Sequence, residues 1–149
     1  MQAERSVHRG SGGFTRVLAR THQVVPLVLG RAAAGFPSPA DDYLDRPLDF
    51  NELLIENPDA TFAVRVVGDS MIGVGIFPGD IAVVDRSKIA GDRSIVLAIL
   101  DGEFTLKRYR RRGDRCWLEA ENENYGPTEL GEHSAFEIWG VIKKSIRML

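Results

Sequence analysis

The apolar run Ser94–Leu100, followed directly by Asp101-Gly102, constrains the fold of this chain more than any other feature. A continuous apolar run of this length is typical of a strand that is buried on both faces. Asp-Gly is a strong signal for a tight β-hairpin turn, so Phe104–Tyr109 is predicted to return as the second strand. Further strands are predicted at Thr61–Val67, Ile81–Asp85, Arg115–Ala120 and Phe136–Ile146. The fold class predicted from these runs is mainly β, with folded β-sheets.

The N-terminal part of the chain differs in composition from this β-rich part. Residues 1–13 are polar and rich in glycine, which is typical of disorder. Residues 31–39 contain two prolines, which favour an extended and exposed connector. This N-terminal region is expected to be too short for a winged helix-turn-helix domain. A short helix is predicted within Leu48–Glu56, with Asp49 as its N-cap and Glu52 at the capping-box position.

The composition argues against several classes of protein. The 149 residues carry 19 basic and 21 acidic side chains, so a net charge of −2 gives no overall field that attracts nucleic acid or anionic membranes. The single cysteine, Cys116, fits a reducing cytoplasm, where we expect the protein. The run Val24–Leu29 imitates a secretory signal, but Pro26 interrupts it and it is shorter than the usual ~7–15 residues. No run approaches the roughly 20 apolar residues of a membrane span. The three histidines are dispersed, so no metal and no cofactor are predicted.

The segment Gly68-Asp69-Ser70-Met71 contains a candidate nucleophile. Ser70 follows a predicted strand and precedes a predicted helical turn, which places its hydroxyl at a strand-to-helix corner. The backbone N–H groups of Asp69 and Ser70 lie nearby and can bind the oxyanion of a tetrahedral intermediate. Because Gly-Asp-Ser is also common in ordinary turns, the pattern alone leaves both interpretations open. A triad of Ser70 with His133 is a weaker alternative, since no pattern orients that loop histidine.

Lys107 is the candidate base for this serine. A serine hydroxyl is a weak nucleophile and needs a neighbour that removes its proton. A lysine does so at neutral pH only if its pKa falls from ~10.4 to near 7, which costs about 4 kcal/mol and requires extensive desolvation. Lys107 shares one strand face with Thr105 and Tyr109, but the pattern does not show which face is buried. The alternative is a solvated lysine at the head of the basic run 108–112, which we interpret as a solvated strand end and turn.

Several blocks of the sequence together match a known family. They are Gly68-Asp69-Ser70-Met71-Ile72, Gly79-Asp80, Val83-Val84-Asp85-Arg86, and Asp101-Gly102-Glu103-Phe104-Thr105-Leu106-Lys107. Gly35-Phe36-Pro37-Ser38-Pro39 and Leu53-Leu54-Ile55 add to the match. From roughly Ala34 to Ile146 the chain resembles the LexA/UmuD family of self-cleaving serine peptidases, and most closely the UmuD branch.

The resemblance implies a role for each matching residue. Ser70 would be the nucleophile, Lys107 its general base, and Ala34–Gly35 the bond that is cut. Residues 1–34 would then be a flexible arm that self-cleavage removes, and residues 35–149 the peptidase-type domain. The resemblance also implies a homodimer, cleavage stimulated by the RecA filament on single-stranded DNA, and a role in the SOS response. The processed form would join a UmuC-like subunit of a Y-family translesion polymerase.

Two alternative functions remain open. One is a fragment of a LexA-like transcriptional regulator, although we expect no direct sequence-specific DNA binding. A membrane partner is not expected either. The other is a non-catalytic module that keeps the fold in order to bind a polymerase.

Overall fold

The structure of the chain is a computed structural model that describes residues 15–16, 24–25, 47–131 and 135–149. It divides into two compact units, one formed by Met1–Val17 with Asp59–Leu149 and the other by Leu18–Pro58. The strands are β1 (Thr15–Arg16), β2 (Val24–Val25), β3 (Leu48–Asp49), β4 (Thr61–Arg65), β5 (Ile81–Asp85), β6 (Ile95–Leu100), β7 (Glu103–Arg112), β8 (Arg115–Glu119), β9 (Thr128–Glu129) and β10 (Phe136–Ile146). Helix α1 spans Phe50–Leu54, and short 3-10 helices span Pro58–Ala60 and Ile72–Val74.

Within the described part of the larger unit, eight strands form one antiparallel sheet in the order β1-β4-β5-β10-β6-β7-β8-β9. The mainly β fold predicted from the sequence is therefore confirmed. The last strand, β10, lies between β5 and β6 and pairs with both. Strand β10 therefore connects the pair β4–β5, which flanks Ser70 in the sequence, with the hairpin β6–β7, which carries Lys107.

The hairpin between β6 and β7 forms at the predicted turn. Asp101 and Gly102 have φ angles of 50° and 82°, the two positive values that a tight hairpin turn requires. Strand β7 runs three residues further than predicted, to Arg112. Its last residues continue as a strand because they pair with Arg115–Trp117 of β8.

The core lies on both faces of the sheet. Alternate residues of β6 belong to different clusters, with Leu97 on one face and Val96 and Ala98 on the other. All three are at most 2% exposed, as the apolar run predicts. The first cluster consists of Val66, Met71, Ile76, Ala82, Val84, Leu97 and Ile142, and the second of Val96, Ala98, Tyr109, Leu118 and Leu130.

The described part of the smaller unit contains a strand pair and helix α1. The predicted N-cap is confirmed, since the backbone N–H of Asn51 donates to the Asp49 carboxylate at 2.8 Å. The helix ends at Leu54, before the predicted limit at Glu56, and Leu48 and Asp49, which precede it, pair with Val24–Val25 as a strand. Among the residues that the structure describes, no helix has the length and apolar character needed to cross a membrane.

Candidate active site

Ser70 lies in the loop that follows β4, just before the 3-10 helix Ile72–Val74. Gly68 has a φ of 80° and starts the change of direction, as expected for a residue without a side chain. Met71, directly after the serine, is 2% exposed and packs in the first core cluster. The predicted strand-to-helix corner is therefore confirmed, and Met71 anchors it in the core.

A second contact holds the same loop from the other side. The backbone N–H of Glu121 donates to the Ser70 carbonyl at 2.7 Å, and the backbone N–H of Gly73 donates to the Glu121 carbonyl at 2.7 Å. A Cβ at position 73 would lie 2.5 Å from the Glu121 oxygen, closer than real Cβ atoms approach. Gly73 therefore permits a backbone clamp, formed by Ser70, Gly73 and Glu121, that fixes the serine loop.

Lys107 lies on β7 opposite Val96 of β6. Its Nζ is 2.9 Å from Ser70 Oγ and donates to the Leu106 carbonyl at 3.2 Å. Tyr109, on the same face of the strand, is 8% exposed, which shows that the face of Lys107 is the one covered by the second core cluster. Burial lowers the pKa of the Lys107 amine below its ordinary value of 10.5, because desolvation penalises the charged form.

This arrangement combines the groups that acyl transfer requires. A neutral lysine amine has two N–H bonds and one lone pair. Donation of one N–H to Leu106 leaves the lone pair free to accept the Ser70 hydroxyl proton across the 2.9 Å contact. Within the described residues, the backbone N–H groups of Asp69 and Ser70 donate to no backbone acceptor. They are therefore the candidate donors to an oxyanion.

Several predicted features lie outside the described residues. They are the cleavage site Ala34–Gly35 with the domain boundary there, the disorder predicted for residues 1–13, the connector 31–39 and His133. All of them stay predictions.

Two of the four arginines in the basic run on β7 are paired with carboxylates. Arg108 forms an ion pair with Glu121, and Arg110 contacts Asp92 and Glu119 at 3.0 Å each. Two of the arginines thus tie β7 to neighbouring segments, which favours a structural role over a nucleic-acid surface. The sequence predicts a strand end and turn for this run, whereas in the structure the strand continues to Arg112.

Sequence reasoning missed the segment from Glu121 to Tyr125, which borders the serine loop. Beside the Glu121 clamp, the Asn122 side chain donates to the Asp69 carbonyl at 3.0 Å, and the Tyr125 hydroxyl donates to the Asp69 carboxylate at 2.5 Å. An open groove of about 530 Å³ lies between this segment and Ile72–Gly73. No spacing in the sequence links residues more than 50 positions apart, so only the fold reveals these contacts.

A mainly β domain that holds a serine hydroxyl against a desolvated amine has the architecture of a serine peptidase. Comparison with known proteins agrees, since the model of the Peptidase S24-like family matches residues 26–143. Protein MucA of Salmonella typhimurium is 40% identical over 129 residues, which cover 86% of this chain and 87% of the relative. Protein SamA of the same species is 44% identical over 117 residues, 78% of this chain and 81% of the relative. The LexA repressor of Ectopseudomonas mendocina is 38% identical over 79% of this chain and 57% of the relative. The chain belongs to the S24-like peptidase family.

Proposed function

We propose that this chain is a self-cleaving serine peptidase in which Ser70 is the nucleophile, Lys107 the general base and Ala34–Gly35 the bond that is cut. The observation that carries the proposal is the 2.9 Å contact between Ser70 Oγ and Lys107 Nζ. Burial lowers the pKa of Lys107, and this shift favours the neutral amine that the role needs.

The reaction follows from these groups. Ser70 Oγ attacks the carbonyl carbon of Ala34 while its proton passes to the neutral amine of Lys107. The backbone N–H groups of Asp69 and Ser70 stabilise the oxyanion, a contribution of about 10²–10³-fold for each good donor. The bond to Gly35 then breaks as the Lys107 ammonium returns its proton to the leaving amine. Water, deprotonated by the same lysine, hydrolyses the ester on Ser70 and regenerates the site.

The biological role that we propose rests on the resemblance to the UmuD branch. Cleavage would remove residues 1–34 in response to a RecA filament on single-stranded DNA. The shortened homodimer would then serve as an accessory subunit of a UmuC-like translesion polymerase in the SOS response. The match to MucA and SamA across more than three quarters of each relative supports a UmuD-like protein.

Intact mass measured during incubation from pH 7 to 10 tests the chemical proposal. Well below the pKa of Lys107, the neutral fraction rises tenfold per pH unit, so the cleavage rate should rise by about the same factor. Cleavage of the Ala34–Gly35 bond should give two fragments. Ser70→Ala and Lys107→Ala should stay intact, while Lys143→Ala, which removes an exposed lysine on β10, should cut normally. A pH-independent rate would contradict a lysine base.

The polymerase role needs a separate test. Addition of RecA with single-stranded DNA should accelerate cleavage, and the processed form should stimulate lesion bypass by a UmuC-like polymerase. If uncleavable Ser70→Ala stimulates bypass as well as the processed form does, the chain is a binding module instead.

The LexA match supports a second candidate, a fragment of a transcriptional regulator. Sequence-specific binding of the full chain to DNA in a gel-shift assay would favour it. We expect no such binding.

A further inference from the structure

The peptide bond before Ser70 is held by donors from two directions. The Asp69 carbonyl accepts from the backbone N–H of Ile72 at 3.3 Å and from the Asn122 side chain at 3.0 Å. A trans peptide is planar, and its C=O and N–H point in opposite directions. Fixing the Asp69 carbonyl therefore also fixes the direction of the Ser70 N–H.

The side chain of Asp69 is held by the same segment. The Tyr125 hydroxyl donates to its carboxylate at 2.5 Å. This hydrogen bond raises the pKa of the Tyr125 hydroxyl, because ionisation of the phenol would remove the donor and place two negative charges together. The shift favours the protonated phenol that donates this hydrogen bond.

The segment that supplies these donors is itself ordered. The backbone N–H of Asn124 donates to the Asn122 side-chain oxygen at 3.1 Å, and the backbone N–H of Tyr125 donates to the Asn122 carbonyl at 3.1 Å. The amide of Asn122 is thus oriented, with its oxygen used inside the turn and its NH₂ directed at Asp69. Asn122 and Tyr125 reach the residue beside the nucleophile without contacting Lys107 in any described interaction.

We infer that Asn122 is a positioning residue for the reaction, which aims the Ser70 N–H at the oxyanion by holding the Asp69 carbonyl, and that Tyr125 assists by holding the Asp69 side chain. This inference rests on the proposed function, since it assigns a role within the same reaction. Two parts of the site then have different roles. Lys107 controls the proton, whereas the Asn122–Tyr125 turn controls the donor that meets developing charge.

The test is the first-order rate of self-cleavage as a function of pH for Asn122→Ala, Tyr125→Phe and the wild type. A misplacement of about 1 Å in a catalytic group can cost 10²-fold, so Asn122→Ala should lower the plateau rate by roughly 10–100-fold. Tyr125→Phe should cost a few-fold, because the contact with the carbonyl remains. The midpoint of the pH profile should not move in either variant, since the surroundings of Lys107 are unchanged.

Asn124→Ala is the matched control, because it removes the same kind of side chain from the same turn and keeps the backbone N–H that bonds Asn122. It should cleave like the wild type. A melting temperature within about 2 °C of the wild type would show that Asn122→Ala is folded, and if that variant unfolds, Tyr125→Phe decides the question.

The outcomes distinguish this inference from the proposed function. If the wild type cleaves but Asn122→Ala is equally fast, the inference is overturned and the proposed function stands. A rate loss accompanied by a shifted pH midpoint also overturns it, because the variant would then act through the base. A wild-type chain that stays intact with RecA on single-stranded DNA overturns both.

Discussion

Gly73→Ala should disable the site while leaving the fold in place. The new Cβ would lie 2.5 Å from the Glu121 oxygen, whereas ordinary contact begins near 3.4 Å, so the two backbones must move apart by about 0.9 Å. The hydrogen bond from Gly73 to Glu121, now 2.7 Å, would lengthen to about 3.6 Å, beyond a true hydrogen bond. The clamp that holds Ser70 would open.

The magnitude follows from these two contacts. Loss of two hydrogen bonds costs about 1–3 kcal/mol in the free energy of unfolding. For a domain of this size that corresponds to a melting temperature lower by roughly 3–10 °C. Displacement of Ser70 Oγ by about 1 Å relative to Lys107 should slow self-cleavage by about 10²-fold.

The assay is the first-order rate of self-cleavage at alkaline pH, with the melting temperature measured by circular dichroism. Two glycines provide controls. Gly126→Ala places its Cβ in open space and should change neither quantity. Gly140→Ala places its Cβ 2.5 Å from a Val84 methyl on β5 and should lower the melting temperature without slowing cleavage by the folded fraction. Wild-type cleavage by folded Gly73→Ala would refute the idea that the clamp positions the nucleophile.

Three further results are expected. Desolvation lowers the folded-state pKa of Lys107, so the charged amine destabilises the folded wild type at low pH. Lys107→Met should therefore melt a few degrees higher than the wild type at pH 6, and this difference should shrink as pH rises towards 10. A difference that does not change with pH would argue against a desolvated amine. Hydrogen bonds from Arg147 hold the pKa of buried Asp80 at about 2, so their contribution to stability is full above pH 3.8 and is lost as pH falls to about 2. Arg147→Leu should therefore melt at a lower temperature than the wild type at pH 5, and this difference in melting temperature should be smaller at pH 2. Equal melting curves at pH 5 would contradict the expectation. Met71→Ala should cost about 2–5 kcal/mol, since its side chain is 2% exposed, and a melting temperature within 2 °C of the wild type would exclude that anchoring role.

The strands could be predicted well from the sequence because their signals are local. The Asp101-Gly102 turn and the apolar run before it specify the hairpin from neighbouring residues alone. The sequence predicts too short a β7, because Arg110–Arg112 are kept extended by their pairing with β8 and not by their own composition.

The site was less accessible to sequence reasoning because it depends on contacts across the sheet. Ser70 and Lys107 could be singled out by resemblance, but the face of β7 that is buried could not, since both faces carry apolar and polar residues. The clamp at Glu121 and the turn at Asn122 act through backbone geometry and single hydrogen bonds. Such contacts leave no periodic trace in a sequence.

The position of β10 has a consequence for the timing of activity during synthesis. Ser70 follows β4, and Lys107 lies on β7, but β10 is the strand that bridges β5 and β6 between them. A ribosome-bound chain that has not yet released residues 136–146 lacks the strand through which the two halves of the sheet pair. Under the proposed function, we expect Ser70 and Lys107 to come together only after β10 has been synthesised, so that an unfinished chain would not cut itself.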